Sequence, residues 1–189
     1  MRKEDINFRD RDILFIDLET TGLDLEEHEI IEIGCLVVNG KNLRIKKRYH
    51  TKVKPEHLET ASKEGLEVAG YSEKAWTKAR ELADMLEDVA KLAPGAMIAG
   101  WKVDFDWWFL DKAFKKHNVK HNFDYHLIDV ISLAFAYYRN QKKPKRLGLR
   151  KVAKLMNLDL PDTKPHNAMK DIEATFMVFK NLLDKIVKD

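Results

Sequence analysis

Three short segments of the 189-residue chain carry side chains able to do metal or acid–base chemistry. The first is Ile16-Asp17-Leu18-Glu19-Thr20-Thr21-Gly22, at the end of an apolar run. Side chains alternate along an extended strand, so Asp17 and Glu19 share one face, a few ångströms apart. Carboxylates so placed repel unless a cation lies between them, and an oxygen-only ligand set suits Mg²⁺ or Mn²⁺ better than zinc. A strand that simply reaches solvent is the plainer alternative. The second segment, Val103-Asp104-Phe105-Asp106-Trp107-Trp108-Phe109-Leu110, sets two acids where a helix would begin. The helix dipole alone favours acids there. Yet a carboxylate among Phe105, Trp107, Trp108 and Phe109 borders a strongly apolar surface, where a lone charge is costly. The third segment, Pro165-His166-Asn167-Ala168-Met169-Lys170-Asp171, spaces a histidine and an aspartate five apart. On one helix those positions point about 140° from each other. Both therefore reach one site only if His166 lies on the loop leading in, which Pro165 favours. Asp171 borders the stripe Ile172, Phe176, Phe179, Leu183 and Ile186, so it faces the core.

The elements around these segments follow from periodicity. The length predicts one domain over residues 1–189, and 44% hydrophobic residues exclude a disordered chain. Ile13 to Ile16 read as a strand, and Ile31, Ile33, Cys35 and Val37 alternate as a second. Asn39-Gly40 predicts a two-residue hairpin turn into a return strand over 43–53. Ser72 is expected to cap a helix carrying Ala75, Ala79, Leu82, Leu86 and Val89, ended by Pro94-Gly95. A short strand (96–99), a helix through Phe105 and Phe114, and a strand near Tyr125 to Ile128 come next. Asp129 caps a helix over 130–139, and two more helices start near Leu147 and Asn167. This order predicts an α/β, RNase H-like fold: a mixed five-stranded sheet flanked by helices on both faces.

Taken together, Asp17-x-Glu19 with Thr-Thr-Gly, Phe105-Asp106 with Phe109-Leu110, and His166-x4-Asp171 resemble the DEDDh family of 3′–5′ exonucleases. That family includes the epsilon proofreading subunit of bacterial replicative polymerase, RNase T and oligoribonuclease. The resemblance runs from about residue 11 to about 180, and the segment 61–70 is also similar. It implies hydrolysis of single-stranded nucleic acid, DNA favoured, from the 3′ end to nucleoside 5′-monophosphates. Asp17, Glu19, Asp106 and Asp171 would hold two Mg²⁺ or Mn²⁺ ions, and His166 would take the proton from the attacking water. Asp17 would serve both ions, Glu19 and Asp171 one of them, and Asp106 the other. Thr20, Thr21 and Leu23 would line the pocket of the terminal nucleotide. Two alternatives stay open: an RNA-directed exoribonuclease or oligoribonuclease, and an inactive nucleic-acid-binding or polymerase-associated module of the same fold. One departure stands out, because Gly100-Trp101-Lys102 replaces the His-Asn of many relatives. Lys102 is assigned either to a substrate phosphate or to solvent.

The charges sharpen this picture. Charged residues make up 34% of the chain, yet the net charge is only +3. No acid lies between Asp129 and Asp159, a stretch holding Arg139, Lys142, Lys143, Lys145, Arg146, Arg150, Lys151 and Lys154. It is read as a path for a nucleic-acid backbone, with Arg146 and Arg150 as substrate contacts. A second basic run, 41–54, is equally explained by lysines guarding an edge strand. One cysteine excludes an internal disulfide framework, and no apolar run reaches membrane-spanning length. A cytoplasmic protein without a membrane partner is expected, with a polymerase or repair complex as the protein partner. The short segment after the last helix favours a free-standing enzyme, and oligomeric state stays open.

Overall fold

The computed structural model describes residues 7–158 and 165–186. Three antiparallel strands open it: β1 (Asp12–Thr20), β2 (Ile30–Asn39) and β3 (Ile45–Lys52). Two helices follow, α1 (Lys63–Ala69) and α2 (Leu82–Leu92), and then β4 (Met97–Gly100), α3 (Val103–Lys116) and β5 (Leu127–Asp129). The chain closes with α4 (Val130–Tyr138), α5 (Leu149–Leu155) and α6 (Ala168–Ile186). The sheet order is β3-β2-β1-β4-β5, with β4 parallel to both β1 and β5. This is the expected mixed five-stranded sheet. No described helix is long and apolar enough to cross a membrane.

Period two on β1 divides the core. Leu14, Ile16 and Leu18 face α2 and α3 with Met85, Leu86, Val89, Phe109 and Leu110. Ile13 and Phe15 face α4, α5 and α6, where Phe15 packs edge-on against Phe176 and Phe179. By the same alternation Asp17 and Glu19 continue the second face, toward the start of α6. Their partners across β2 are Gly34 and Glu32. Gly34 is what lets α6 come close, since a Cβ there would lie 2.5 Å from the Ala168 carbonyl oxygen. Gly34→Ala is therefore expected to lower stability by about 1–3 kcal/mol, as overpacking does. Thermal unfolding checks this, and an unchanged Tm would show that α6 is not seated on β2 in this way.

Two expected elements differ. The β2–β3 connection is not a two-residue Asn-Gly turn. Leu43, not Gly40, takes the left-handed conformation, with φ 53°. The Asn39 carboxamide instead accepts from the amides of Lys41 and Asn42, both at 3.1 Å, and shapes a longer loop. Gly40 is needed for space, because a Cβ there would collide with the Arg11 carbonyl. The helix expected from Ser72 is interrupted. Ser72 caps only one turn, accepting from the Ala75 amide at 3.2 Å. The chain then extends at Arg80 to bridge Val53, and α2 begins after Glu81. That bridge supplies sheet hydrogen bonds, Arg80 N to Lys52 O and Lys54 N to Arg80 O, both at 2.9 Å. They outweigh the local helical pattern. Helix α1, absent from the expected order, is capped by Ser62 and ended by Gly70 at φ 64°.

The 41–54 basic run matches its structural explanation. It holds edge strand β3, where Lys46 pairs with Asp12, and Arg48 with Glu173 at 2.8 Å. Lys52 lies over the Trp76 ring, 3.6 Å from its centroid.

Candidate active site

The end of β1, the first turns of α3 and α6, and the loop before α6 converge at the C-terminal edge of the sheet. β4 leaves the β1 ladder after the Phe15–Ala99 pair. Beyond it, the Leu18 amide donates to the Asp106 carboxylate at 2.8 Å, which fixes the start of α3 against β1. Asp106 is buried, as are Glu19 and Asp171. Asp17 is half-buried and opens into a cleft of about 770 Å³. Trp101, Leu149, Arg150, Lys151, Lys154, His166 and Asp171 also line that cleft.

His166 lies just ahead of α6, as its spacing from Asp171 required. Its backbone amide donates to the Val68 carbonyl of α1 at 2.9 Å. Its Nδ1 stands 3.6 Å from Asp171 Oδ2. Donor atoms of Glu19, His166 and Asp171 lie within 4.8 Å of one another. Arg150 Nη2 donates to the other Asp171 oxygen at 3.0 Å.

Burial of the acids dominates the electrostatics, and their crowding adds to it. Burial pushes the Asp17 carboxyl well above its usual range, and Asp106, Glu19, Asp171 and Glu32 push it further in the same direction. Glu19 is raised to about 8, by burial first and then by Asp171, Glu32 and Asp106. Burial raises Asp106 to about 8 against the opposing Leu18 hydrogen bond. Asp171 is also raised by burial, with Arg150 and His166 restraining the shift. Protein cations thus offset only part of the repulsion. An oxygen-rich, buried, mutually repelling set is suited to divalent cations of the Mg²⁺ or Mn²⁺ type, so the residues fit that kind of ion.

The residues expected to touch substrate are placed less uniformly. Arg150 lies in the cleft wall, whereas Arg146 is exposed and outside it. Trp101, not Lys102, faces the cleft. Lys102 is exposed with φ 60°, a left-handed conformation in which Asn is more at home than Lys. Its amide is held by Asp129 Oδ1 at 3.0 Å, and its ammonium lies 5.6 Å from the Phe105 ring centroid. Thr21, expected to line the pocket of the terminal nucleotide, has its side chain turned into the fold. It is fully buried, and its oxygen accepts from the Glu29 amide at 2.9 Å. The Thr20 hydroxyl is likewise committed, donating to the Gly22 carbonyl at 2.7 Å. Leu23 is 83% exposed, beyond that turn.

Sequence reading passed over Glu32. It sits in the apolar strand Ile30-Ile31-Glu32-Ile33-Gly34-Cys35, on the face of Asp17 and Glu19, and is only 1% exposed. The available signal was the charge itself, since a carboxylate inside a buried strand needs partners.

Residues 14–179 match the model of the RNase T exonuclease family. The chain belongs to that DEDDh exonuclease family. It is 28% identical over 185 residues to a PolC-type DNA polymerase III of Thermotoga maritima, and 26% over 173 residues to that of Bacillus subtilis. The alignments cover 98% and 91% of this chain but only 13% and 11% of the relatives' length. Among solved structures, exonuclease I superposes with a TM-score of 0.77 at 17% identity, over 94% of this chain and 43% of that one. E. coli exonuclease I bound to a dT13 oligonucleotide gives 0.73 at 18% identity, over 94% and 41%. Cell-death related nuclease 4 gives 0.72 at 16% identity, over 94% and 65%. The structural likenesses establish the exonuclease fold, and the family match places the three motif segments within one domain type.

Proposed function

We propose that this chain is a metal-dependent 3′–5′ exonuclease that shortens single-stranded nucleic acid, DNA in preference to RNA, releasing nucleoside 5′-monophosphates. The observation that carries this reading is that Asp17, His166 and Asp171 line one cleft, with Glu19 grouped against His166 and Asp171 and with Asp106 tied to β1 at Leu18, all brought together from three separate segments of the chain. The four carboxylates would hold Mg²⁺ or Mn²⁺. Bound there, two such ions supply stabilisation of the attacking and leaving oxygens of an in-line displacement at phosphorus. Asp106 tethers α3 to β1 through the Leu18 amide and so keeps the acids from both elements in register. His166 turns Nδ1 toward Asp171, which leaves Nε2 to accept the proton of the attacking water. Arg150, Lys151 and Lys154 form the cationic wall for the phosphate backbone, and Trp101, Leu149 and Leu158 offer apolar surface for bases.

The DNA preference draws on the polymerase relatives and on the oligonucleotide-bound exonuclease I. A DNA polymerase or repair assembly is accordingly the protein partner proposed. The single buried cysteine, whose thiol burial pushes up and keeps inert, suits a cytoplasmic location. The test incubates 5′-labelled DNA and RNA single strands with Mg²⁺, Mn²⁺ or EDTA. Stepwise loss from the 3′ end of DNA, abolished by EDTA, is the expected result. Faster loss from RNA would turn the assignment to an exoribonuclease. Binding without shortening under every metal would make the chain a binding module.

The cationic wall has its own check. With Lys151→Gln and Lys154→Gln combined, the slope of log binding constant against log salt should fall by about 1.4, near 0.7 per single-strand phosphate contact. An unchanged slope removes these lysines from the backbone path.

A further inference from the structure

We infer that Glu32 is a positioning residue that holds His166 in its working orientation by anchoring the two residues that follow it. This inference rests on the proposed nuclease activity and adds to it a residue outside the three motif segments. Glu32 Oε1 accepts from Asn167 Nδ2 at 2.8 Å and from the Ala168 amide at 3.1 Å. The same oxygen lies 2.8 Å from His50 Nε2 on the neighbouring strand. Glu32 pairs directly with Glu19 across β1 and β2, so the anchor and the site share one rigid piece of sheet.

The geometry of the loop gives these contacts their purpose. His166 is held against α1 by its backbone amide, which donates to the Val68 carbonyl, and the chain then drops onto β2 at Asn167 and Ala168. Gly34 lets that backbone approach, and Glu32, two residues earlier on the same face, captures it. Asn167 is engaged twice. Its Oδ1 accepts from the Lys170 amide at 3.1 Å, and its backbone carbonyl accepts from the Asp171 amide at 3.0 Å. One side chain on β2 thus sets where α6 begins, and with it the distance between His166 and Asp171. A buried carboxylate beside Asp17, Glu19 and Asp171 is electrostatically unfavourable, so three donors converging on it mark a specific arrangement and not a default of packing.

The experiment measures kcat and KM on a single-stranded DNA substrate for Glu32→Ala and Glu32→Gln, alone and with His166→Ala. Outer partners of site residues typically contribute about 10–100-fold. Glu32→Ala should lower kcat by about that factor with KM changed less than about threefold. Glu32→Gln, which keeps an oxygen acceptor, should recover at least about half of that loss on a logarithmic scale. In the His166→Ala background Glu32→Ala should add little, because both act through the same imidazole. Hydrogen exchange of a peptide over 165–170 should become faster in Glu32→Ala while strands β1 and β2 stay protected. Should Glu32→Ala fail to fold, Asn167→Asp replaces it. That change keeps an α6 cap but sets a like charge against Glu32, and about a tenfold fall in kcat is expected. Additive losses with His166→Ala, or equal kcat in Glu32→Ala and wild type, would overturn the inference. If wild type itself shortens no strand, the nuclease reading fails, and the exchange measurement still decides whether Glu32 holds the loop.

Discussion

Asp17→Asn is expected to lower the rate of 3′-end shortening by on the order of 10³-fold or more, with binding of single-stranded DNA retained. The argument starts from position. Asp17 ends the apolar half of β1, opens into the cleft, and is the carboxyl pushed upward by burial first and then by Asp106, Glu19, Asp171 and Glu32 together. It is the acid central to the group, so loss of its charge weakens every cation held there. Metal stabilisation of a phosphoryl transition state amounts to several kcal/mol, and each 1.36 kcal/mol is a decade of rate. Asparagine preserves shape, so the fold is retained. A second signature separates function from structure: without metal, the variant should be more stable than wild type near pH 8, because the carboxyl that ionises more readily in the unfolded chain than in the buried site is gone. Single-turnover assays with a 5′-labelled strand, paired with thermal unfolding in EDTA, check both. Activity within tenfold of wild type would remove Asp17 from the chemistry.

How much of this was legible beforehand depends on the range of the interaction. Asp17 and Glu19 on one face, and His166 on the loop ahead of Asp171, follow from periods of 2 and 3.6 residues, which are local. The sheet and its flanking helices followed from the order of such patterns. The hairpin at Asn39 did not, because the Arg11 carbonyl, distant in sequence, decides why Gly40 is a glycine. The helix after Ser72 broke for the same kind of reason, a bridge from Arg80 to Val53 that no local pattern encodes. In the site, the motif around Thr21 does not foretell that its oxygen accepts from the Glu29 amide, eight residues on. Glu32 was hidden in the opposite way. Its partners Asn167 and Ala168 are over a hundred residues away, and only the cost of a charge inside β2 could have pointed to them.

Metal binding is expected to release protons, and it should stabilise the protein more at pH 8 than at pH 6. Glu19 is raised from 4.5 to about 8 and Asp106 from 3.8 to about 8, with Asp17 and Asp171 shifted the same way. The sign follows from linkage. Between about pH 4 and pH 8 the folded, metal-free protein binds more protons than the unfolded chain, so its stability falls as pH rises. These groups favour the fold fully below their unfolded values, and that contribution is gone once pH passes the folded ones. The loss amounts to several kcal/mol, since a tenfold change in proton affinity corresponds to about 1.36 kcal/mol, and in a domain of this size it lowers Tm by more than about 5 °C. Divalent cations replace the protons and relieve the repulsion, so the gain in Tm on adding Mn²⁺ should grow from pH 6 to pH 8. Calorimetry in buffers of different ionisation enthalpy counts the protons released. Glu19→Gln, which removes one of the titrating charges, should flatten the metal-free pH profile and reduce the proton count. A metal-free Tm that is level from pH 5 to pH 8, together with no proton release, would mean that the four carboxylates do not share one low-dielectric site.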